Sequence, residues 1–262
     1  MFSRLSRPLG LSFCALPIVV LLVVVGAAPL PYTIAQPGLT ADVLGSDQGQ
    51  PVITIKKAPT RKTEGQLRMT TIMATGPSDD VDFGEVIDGW FRTDQAVLPR
   101  EAVYPTDKSD KEIAKHNTDD MLKSQNEAIQ AALGYLHRDP KSVDISLHLA
   151  DVGGPSAGLL FALGIVDKLD GDGSGGDLTG GRTIAGTGTI TAGGKVGAVG
   201  GVALKTQAAG RDGATVFVVP KDECADAKAE LPKGMRLIPV STLKGAVSAL
   251  RSLAKGGAVP SC

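Results

Sequence analysis

Residues Val143–Leu169 read VDISLHLADVGGPSAGLLFALGIVDKL, and this stretch decides the fold. Its first part, Val143–Leu149, alternates apolar and polar residues as a half-buried strand does. Its last part, from Pro155 to about Leu169, is apolar at most positions and is long enough for a buried helix. A glycine-rich turn joins the two parts and carries Ser156. The stretch therefore predicts a strand, a tight turn with a serine, and a buried helix.

Short strand and helix signals alternate along the rest of the chain from Pro51 onward. Their order predicts an α+β fold, and no strong boundary divides it, so we expect one domain over 32–255 and a tail over 256–262. The predicted strands are Val52–Lys56, Leu67–Thr75, Ala214–Val219 and Leu237–Val240, and strand–turn units are predicted at Arg182–Ile190 and Lys195–Val199. The predicted helices are Phe83–Phe91, Glu112–Leu136, Val202–Ala209 and Leu243–Leu253.

The composition is that of a globular protein and argues against a nucleic-acid binder. Apolar residues make up 42% and charged residues 21%, which is too apolar for wholesale disorder. The 27 basic and 28 acidic side chains nearly cancel, so no basic excess marks a nucleic-acid surface. Aromatic residues are only 4%, which leaves few platforms for base stacking.

The first 40 or so residues lack a globular pattern and set the expected compartment. No charged side chain stands between Arg7 and Asp42, and Leu9–Leu30 supplies roughly the 20 apolar residues that a membrane-spanning helix needs. Arg4 and Arg7 precede this run, which favours a cytoplasmic N-terminus. We therefore expect residues 1–31 to be a single-pass anchor that leaves the rest of the chain outside the cytoplasm.

The alternative is a cleaved signal peptide and a secreted protein, because Val25-Gly26-Ala27 loosely resembles a cleavage site. Either interpretation places the body of the chain in an oxidising space. Cys14 lies in the apolar run, and only Cys224 and Cys262 follow it. Two such cysteines fit one disulfide that staples the C-terminal tail, while two free thiols are the open alternative.

Ser156 stands in Gly-Pro-Ser-Ala-Gly, which fits the G-x-S-x-G pattern of a nucleophile elbow. The three histidines, His116, His137 and His148, all precede it, so the order serine, acid, histidine of the α/β-hydrolases is impossible. The order histidine, aspartate, serine of chymotrypsin would need His148, Asp151 and Ser156, and a single short strand and turn cannot easily bring these three into one hydrogen-bonded array. A histidine-based triad is therefore disfavoured. Taken alone, the motif favours a tight turn that opens a helix over a nucleophile elbow.

A lysine can replace histidine as general base when burial lowers its pKa and leaves the amine neutral. Lys205 stands in GGVALKTQAA, Gly200–Ala209, among small and apolar residues, and is the candidate. The other lysines considered lie among polar or turn neighbours and are expected to be solvated: Lys168, Lys221, Lys228, Lys233 and Lys244. The alternative for Lys205 is a surface lysine that lays its stem on the core.

Three ordered motifs together resemble the proteolytic domain of the Lon serine–lysine peptidases. They are Gly-Pro-Ser-Ala-Gly at 154–158, Thr-Gly-x-Ile at 187–190 and Gly-Gly-x-x-x-Lys at 200–205. The chain is more similar still to the membrane-anchored, extracytoplasmic Lon-like proteases of Gram-positive bacteria, in the apolar N-terminal run, Met69-Thr70-Thr71, Gly89-Trp90-Phe91 and Asp177–Ile190. This likeness runs from about Tyr32 to Leu253.

The resemblance implies a Lon proteolytic-domain fold of short mixed sheets with packed helices. It implies Ser156 as the nucleophile that forms an acyl-enzyme, Lys205 as its general base, and Thr187 as a hydrogen-bond partner that holds the lysine. Backbone amides at Gly154 and Ser156 would stabilise the oxyanion at a helix start.

The chain departs from the family in two places. Anchored relatives usually carry a PDZ module between the long helix and the serine strand, whereas only six residues separate Leu136 from Val143 here. Cytosolic relatives have a glutamate where Thr189 stands, so any role of that carboxylate is absent.

No nucleotide or metal is expected. Gly188–Lys195 fails as a phosphate loop, because Thr189 takes the place of its first glycine and Val196 follows the lysine. Asp170, Asp172 and Asp177 lack a complete calcium-ligand pattern, and the three histidines are scattered.

The sequence thus predicts an ATP-independent serine endopeptidase, tethered to the outer face of the membrane, that needs no cofactor and cleaves protein or peptide substrates. The alternative is a Lon-fold binding or assembly module with weak activity. A peptidase of the signal-peptidase type fits the motif order less well. The oligomeric state stays open, a homo-oligomer included.

Overall fold

The structure, a computed structural model, describes residues 15–21, 23, 24, 26, 28–104, 108–150 and 152–262. These residues form two compact units. The first comprises the described residues up to Ala35 together with those between Ala74 and Asp107, and the second comprises Gln36–Met73 and Lys108–Cys262. The predicted single domain, 32–255, therefore contains parts of both units.

The first unit is built around a short antiparallel strand pair. Strand β1 begins here, and its residues Tyr32–Ala35 pair with β6, in the register from Tyr32 with Pro99 to Ala35 with Ala96. Helix α1 begins after Asp82, whose side chain accepts from the Glu85 amide while the Glu85 side chain accepts from the Asp82 amide. The elements of this unit are the start of β1 (Tyr32–Asp42), α1 (Phe83–Phe91), β6 (Ala96–Pro99) and α2 (Arg100–Val103).

The second unit contains the main sheet, in which β12, β11, β8, β5 and β1 lie side by side in that order. The pairs β5·β8, β8·β11 and β11·β12 are parallel. Strand β11 is buried at every residue and reads VFVVP, as a parallel strand covered on both faces requires. The strands of the unit are the rest of β1, β2 (Ser46–Asp47), β3 (Gln50–Pro51), β4 (Ile53–Lys56), β5 (Gln66–Ala74), β7 (Asp144–Leu147), β8 (Thr183–Gly186), β9 (Thr189–Ile190), β10 (Val196–Gly197), β11 (Val216–Pro220) and β12 (Arg236–Val240).

Helix α4 is the centre of this unit, because all of its residues except Lys168 are buried. A helix that is apolar on every side has to lie inside the protein. Helices α3 and α7 pack against α4, and α5 packs against β8 and α6. The helices of the unit are α3 (Asp110–Tyr135), α4 (Gly158–Leu169), α5 (Val202–Arg211), α6 (Cys224–Ala229) and α7 (Leu243–Ala254).

The expected α+β class and most predicted elements are observed, with ends that differ by a few residues. The expectation that the first 40 or so residues are not globular is wrong from Tyr32 onward, because β1 begins there and buries Thr33 and Ala35. The expectation that Lys168 is solvated is also wrong. Its side chain is half-buried and donates to the Leu44 carbonyl, and burial lowers its pKa.

The expected anchor, 1–31, lies partly outside the described residues, because residues 1–14, 22, 25 and 27 fall there and Cys14 is among them. Within the described part of the chain, no helix combines the length and the apolar character that crossing a bilayer requires. The anchor therefore stays a prediction.

The packing of α4 makes a prediction about stability. Leu160 on α4 is 0% exposed and Leu122 on α3 is 53% exposed. Replacing Leu160 with alanine should lower the free energy of unfolding by about 2–5 kcal/mol, since the side chain leaves a cavity in a close-packed core. Leu122→Ala removes the same atoms from a solvated position and should change it by less than about 1 kcal/mol. Chemical denaturation of both variants tests this, and equal losses would contradict the central place of α4.

Candidate active site

The serine turn is held from one side by helix α3. The amide of Gly154 donates to the Asn117 carbonyl at 3.0 Å. The buried Ser124 hydroxyl donates to the Pro155 carbonyl at 2.9 Å. These two bonds fix Gly154 and Pro155, the two residues directly before Ser156. The side chain of Ser156 is partly exposed.

The chain between β8 and β9 holds the turn from the other side. The Ser156 carbonyl accepts from the Gly188 amide at 3.0 Å, and the Leu159 amide donates to the Gly188 carbonyl at 3.1 Å. The Thr187 hydroxyl also donates to the Ser156 carbonyl, at 3.3 Å. Ser156 is thus anchored through its backbone, which leaves its hydroxyl to respond to other groups.

Glycine is required at 158, directly after this serine and alanine. A Cβ atom there would lie 2.7 Å from the Ser124 hydroxyl oxygen and 3.0 Å from Cγ2 of Ile190. Helix α4 begins at this glycine and has no side-chain cap. Helix starts carry amides without intrahelical partners, and among the described residues the amides of Ser156 and Ala157 donate to no protein acceptor. The start of α4 therefore presents free amides beside the serine.

Lys205 lies on the buried side of α5. Its side chain is 3% exposed, and its Nζ donates to Oγ1 of the fully buried Thr187 at 3.2 Å. The helix follows Gly201, which has φ of 68° and where a Cβ would lie 2.8 Å from Cγ2 of Ile72. Glycine thus lets the chain turn close to the sheet and aim the lysine inward.

Burial lowers the pKa of Lys205 to about 8, and the negative charge of Glu223 opposes this effect. Because desolvation disfavours the ammonium form, a substantial fraction of the amine is neutral at mildly alkaline pH. A neutral amine has a lone pair and can accept a proton. The pKa thus lies near the operating range of a general base.

The structure brings Ser156, Thr187 and Lys205 together. Thr187 accepts from the lysine amine and donates to the serine carbonyl, so one hydroxyl links the two candidate catalytic residues. Among the described residues, no hydrogen bond joins the Ser156 hydroxyl to the Lys205 amine directly. Catalytic hydrogen bonds of this kind often tighten only when substrate is bound.

Gly154 has a different place from the one expected. Its amide already donates to the Asn117 carbonyl, so it does not face a substrate oxyanion in this arrangement. Its φ of 83° is in the left-handed region and lets the chain turn towards Ser156. Among the described residues, the amides of Ser156 and Ala157 have no protein acceptor.

Asn117, Ser124 and Glu223 belong to the site but were not predicted. Ser124 had a signal, because it is a small polar residue on the apolar face of a long predicted helix. Asn117 acts through its backbone carbonyl, which no side-chain pattern reveals. Glu223 follows β11 in a polar stretch, and nothing in its neighbourhood indicates the lysine that it approaches.

A cleft of about 540 Å³ lies beside the serine turn. It is open to solvent, and Asn117 and Met121 of α3 line one side of it. The other side is lined by Leu147 at the end of β7 and by His148 and Gly153 of the segment that follows. Strand β7 pairs with β4, and no other strand of the described residues pairs with it. Gly153, which lines the cleft, stands three residues before Ser156.

The acidic glycine loop and the histidines form no metal site in the described part of the chain, where no three ligand side chains come together. Arg61 pairs with Asp177 and Arg251 pairs with Asp170. The third carboxylate of the loop, Asp172, accepts from Ser174 within the loop.

Cys224 and Cys262 form a disulfide in the structure, with their Cα atoms 5.4 Å apart. The bond ties the last residue of the chain to the start of α6. The backbone carbonyl of Cys262 also accepts from the Lys228 amine. The C-terminal tail is thus held next to the segment that carries Glu223.

The family model and two known proteins that match this chain are all described as Lon protease. A family model for the Lon protease (S16) C-terminal proteolytic domain matches residues 111–250. The Lon protease of Malacoplasma penetrans (strain HF-2) is 31% identical over 141 residues, 48% of this chain and 17% of that protein. The Lon protease of Mycoplasma genitalium (strain ATCC 33530 / DSM 19775 / NCTC 10195 / G37) is 29% identical over 159 residues, 55% of this chain and 19% of that protein. The chain thus matches less than a fifth of the length of these relatives.

The burial of Lys205 makes a prediction that does not depend on activity. Moving the lysine pKa from 10.5 to about 8 corresponds to a cost on the order of 3 kcal/mol while the amine is charged. Lys205→Met should therefore raise the free energy of unfolding at pH 7 by about 1–3 kcal/mol, with the lost Thr187 hydrogen bond offsetting part of the gain. Denaturant unfolding measures the difference.

The gain should shrink as the pH rises. Because the folded pKa lies below the unfolded value, unfolding takes up a proton between about pH 8 and pH 10.5, and the wild-type protein gains stability as the pH rises through that window. Lys244→Met, at an exposed position, is the matched control and should show no such dependence. The same pH dependence in both variants would contradict a buried Lys205.

Proposed function

The family match covers more than half of the chain, so the chain belongs to the Lon (S16) family of serine peptidases, and from that premise we propose a Ser156–Lys205 dyad that hydrolyses polypeptides. We propose further that the enzyme acts on the outer face of a membrane and without ATP. The observation that carries the dyad is the buried Lys205, held by Thr187 at the backbone of Ser156.

The first step is acylation. Neutral Lys205 takes the proton of the Ser156 hydroxyl as the serine oxygen bonds to the peptide carbonyl carbon. The carbonyl oxygen becomes an oxyanion, and the free amides of Ser156 and Ala157 at the start of α4 are placed to stabilise it. Lys205, now an ammonium, returns the proton to the leaving amine as the C–N bond breaks.

The second step is hydrolysis of the acyl-enzyme. Lys205 takes a proton from a water molecule, which attacks the ester carbonyl. The proton returns to the serine oxygen as the acid product leaves. Thr187 keeps the lysine amine at one position through both steps, because its hydroxyl is itself fixed to the Ser156 carbonyl. The cleft between α3 and β7 supplies the place where the polypeptide lies.

Two features support an extracytoplasmic location. The apolar run from Leu9 to Leu30 has the length and flanking arginines of an anchor. The Cys224–Cys262 disulfide belongs to an oxidising compartment. ATP independence is supported by the failed phosphate loop at Gly188–Lys195, and such a location would offer no nucleotide.

A catalytically weak binding module is the second candidate. It is favoured by the occupied amide of Gly154 and by the absence, among the described residues, of a direct bond between the Ser156 hydroxyl and the Lys205 amine. The buried lysine favours the enzyme, because a buried charge without a catalytic role would only lower the stability of the folded protein.

Cleavage of casein should separate the two candidates. Ser156→Ala should lower kcat by at least about 10³-fold, because no nucleophile remains. Lys205→Met should lower it by about 10²–10⁴-fold, because the base is lost. The exposed Lys244→Met should retain full activity. A wild-type protein that cleaves nothing would favour the binding module, and undiminished cleavage by Ser156→Ala would exclude the dyad.

Location makes a separate prediction. The full chain expressed in a Gram-positive host should stay in the membrane pellet after extraction at alkaline pH, since a spanning helix is held by its apolar area. Alkylation of the denatured, detergent-solubilised chain without reductant should modify Cys14 but neither Cys224 nor Cys262. Release into the supernatant with a new N-terminus after Ala27 would show a cleaved signal peptide. Release of the uncut chain would contradict both interpretations.

A further inference from the structure

A carboxylate that no motif indicated lies near the candidate base. Strands β8 and β11 are parallel, with Gly186 opposite Val218, so their carboxyl ends meet at the same edge of the sheet. Thr187 follows β8 directly, and its amide donates to the Val218 carbonyl. Glu223 follows β11 at the end of a short 3-10 turn. The topology thus brings Glu223 to the edge where Thr187 holds Lys205.

One oxygen of this carboxylate positions the chain that leads to the lysine. Glu223 Oε1 accepts from the Val199 amide at 2.9 Å. Val199 stands two residues before Gly201, after which α5 begins and carries Lys205 inward. Glu223 therefore helps to fix where the lysine helix starts.

The other oxygen has no protein partner. Glu223 Oε2 is inaccessible to solvent and, within the described residues, accepts no hydrogen bond. A buried acceptor without a partner destabilises the folded state, and a charged one does so more strongly. A buried oxygen without a partner needs an explanation, and a nearby charge of opposite sign provides one.

Lys205 carries a charge of opposite sign that acts on this carboxylate, and among the described residues no ion pair or hydrogen bond joins the two side chains. The negative charge of Glu223 acts to raise the pKa of Lys205, and the positive charge of Lys205 acts to lower the pKa of Glu223. Burial nevertheless leaves the pKa of Glu223 raised overall, and Asp226 and Asp222 add to this. These two aspartates are exposed, and among the described residues Glu223 is the charged group that acts on Lys205.

We propose that Glu223 is a positioning residue for peptide hydrolysis, with a carboxylate that stabilises Lys205 while the lysine holds the proton taken from Ser156. This inference rests on the proposed function. Glu223 neither gives nor takes a proton: the proton passes from the serine hydroxyl to the lysine amine and then to the leaving amine. The carboxylate makes the lysine a stronger base and favours the charged intermediate over the resting state.

Glu223→Gln tests this, because glutamine keeps the shape and the acceptor for the Val199 amide but removes the charge. Without the carboxylate the pKa of Lys205 falls. The acid limb of kcat/KM should therefore move to lower pH by about 0.5–1 unit. The plateau kcat should fall by about 3- to 10-fold with little change in KM, since the base is weaker.

Asp222→Asn is the matched control, because it removes the same charge one residue away from an exposed side chain. It should leave the acid limb in place. Glu223→Asp keeps the charge on a shorter side chain, and its acid limb should stay closer to the wild-type position. An unmoved limb in Glu223→Gln, or equal shifts in Glu223→Gln and Asp222→Asn, would overturn the proposal, even if activity fell.

A measurement without activity separates this inference from the proposed function. In the full chain with Ser156→Ala, side-chain NMR of Lys205 should give a titration midpoint near 8, and adding Glu223→Gln should lower it. An unchanged midpoint would refute the role of Glu223 while leaving the dyad intact. Full casein cleavage by Ser156→Ala would instead refute the dyad, and the role of Glu223 with it.

Discussion

The site depends on a single hydroxyl. Thr187 accepts from the amine of Lys205 and donates to the carbonyl of Ser156, so it uses its only proton for the serine and a lone pair for the lysine. Its side chain is fully buried, where no water competes for either bond. Because Thr187 also donates its amide to Val218 in the neighbouring strand, the main sheet sets the position of the lysine relative to the serine.

Glycine residues allow the starts of helices α4 and α5 to pack closely around this hydroxyl. A side chain at position 158 would collide with Ser124 and Ile190, and one at 201 would collide with Ile72. Glycine at these positions lets the start of α4 come close to α3 and β9, and lets the start of α5 come close to β5.

Local patterns were sufficient for the elements and insufficient for the contacts between them. Helix α1 has the predicted bounds, because its apolar spacing is regular and its N-terminus carries a capping pair, Asp82 and Glu85. Strand β1 was missed because it contains Pro37 and Gly38, two residues that interrupt most strands. Gly38 is nevertheless required there, since a Cβ would lie 2.3 Å from the Thr71 hydroxyl oxygen.

The same limit applies to the site. Ser156, Thr187 and Lys205 were found because each stands in a short motif, and the motifs come in one order. The partners of the serine turn, Asn117 and Ser124, are distant in sequence and act through a backbone carbonyl or a common hydroxyl. The spacing of residues along the chain carries no information about such contacts. They form because α3 packs against the serine turn in the folded protein.

The energetics of the site explain why it needs a well-packed surrounding. A buried lysine costs stability while it is charged, and a buried carboxylate oxygen without a partner costs stability as well. Both of these destabilising groups lie at the proposed catalytic site. Proteins commonly tolerate such groups at functional sites and offset the lost stability elsewhere in the fold. Here the offset comes from the nearly complete burial of α4 and from the β11 strand, which is buried at every residue. A less closely packed core would let water reach the lysine, raise its pKa towards the ordinary value and so remove the base.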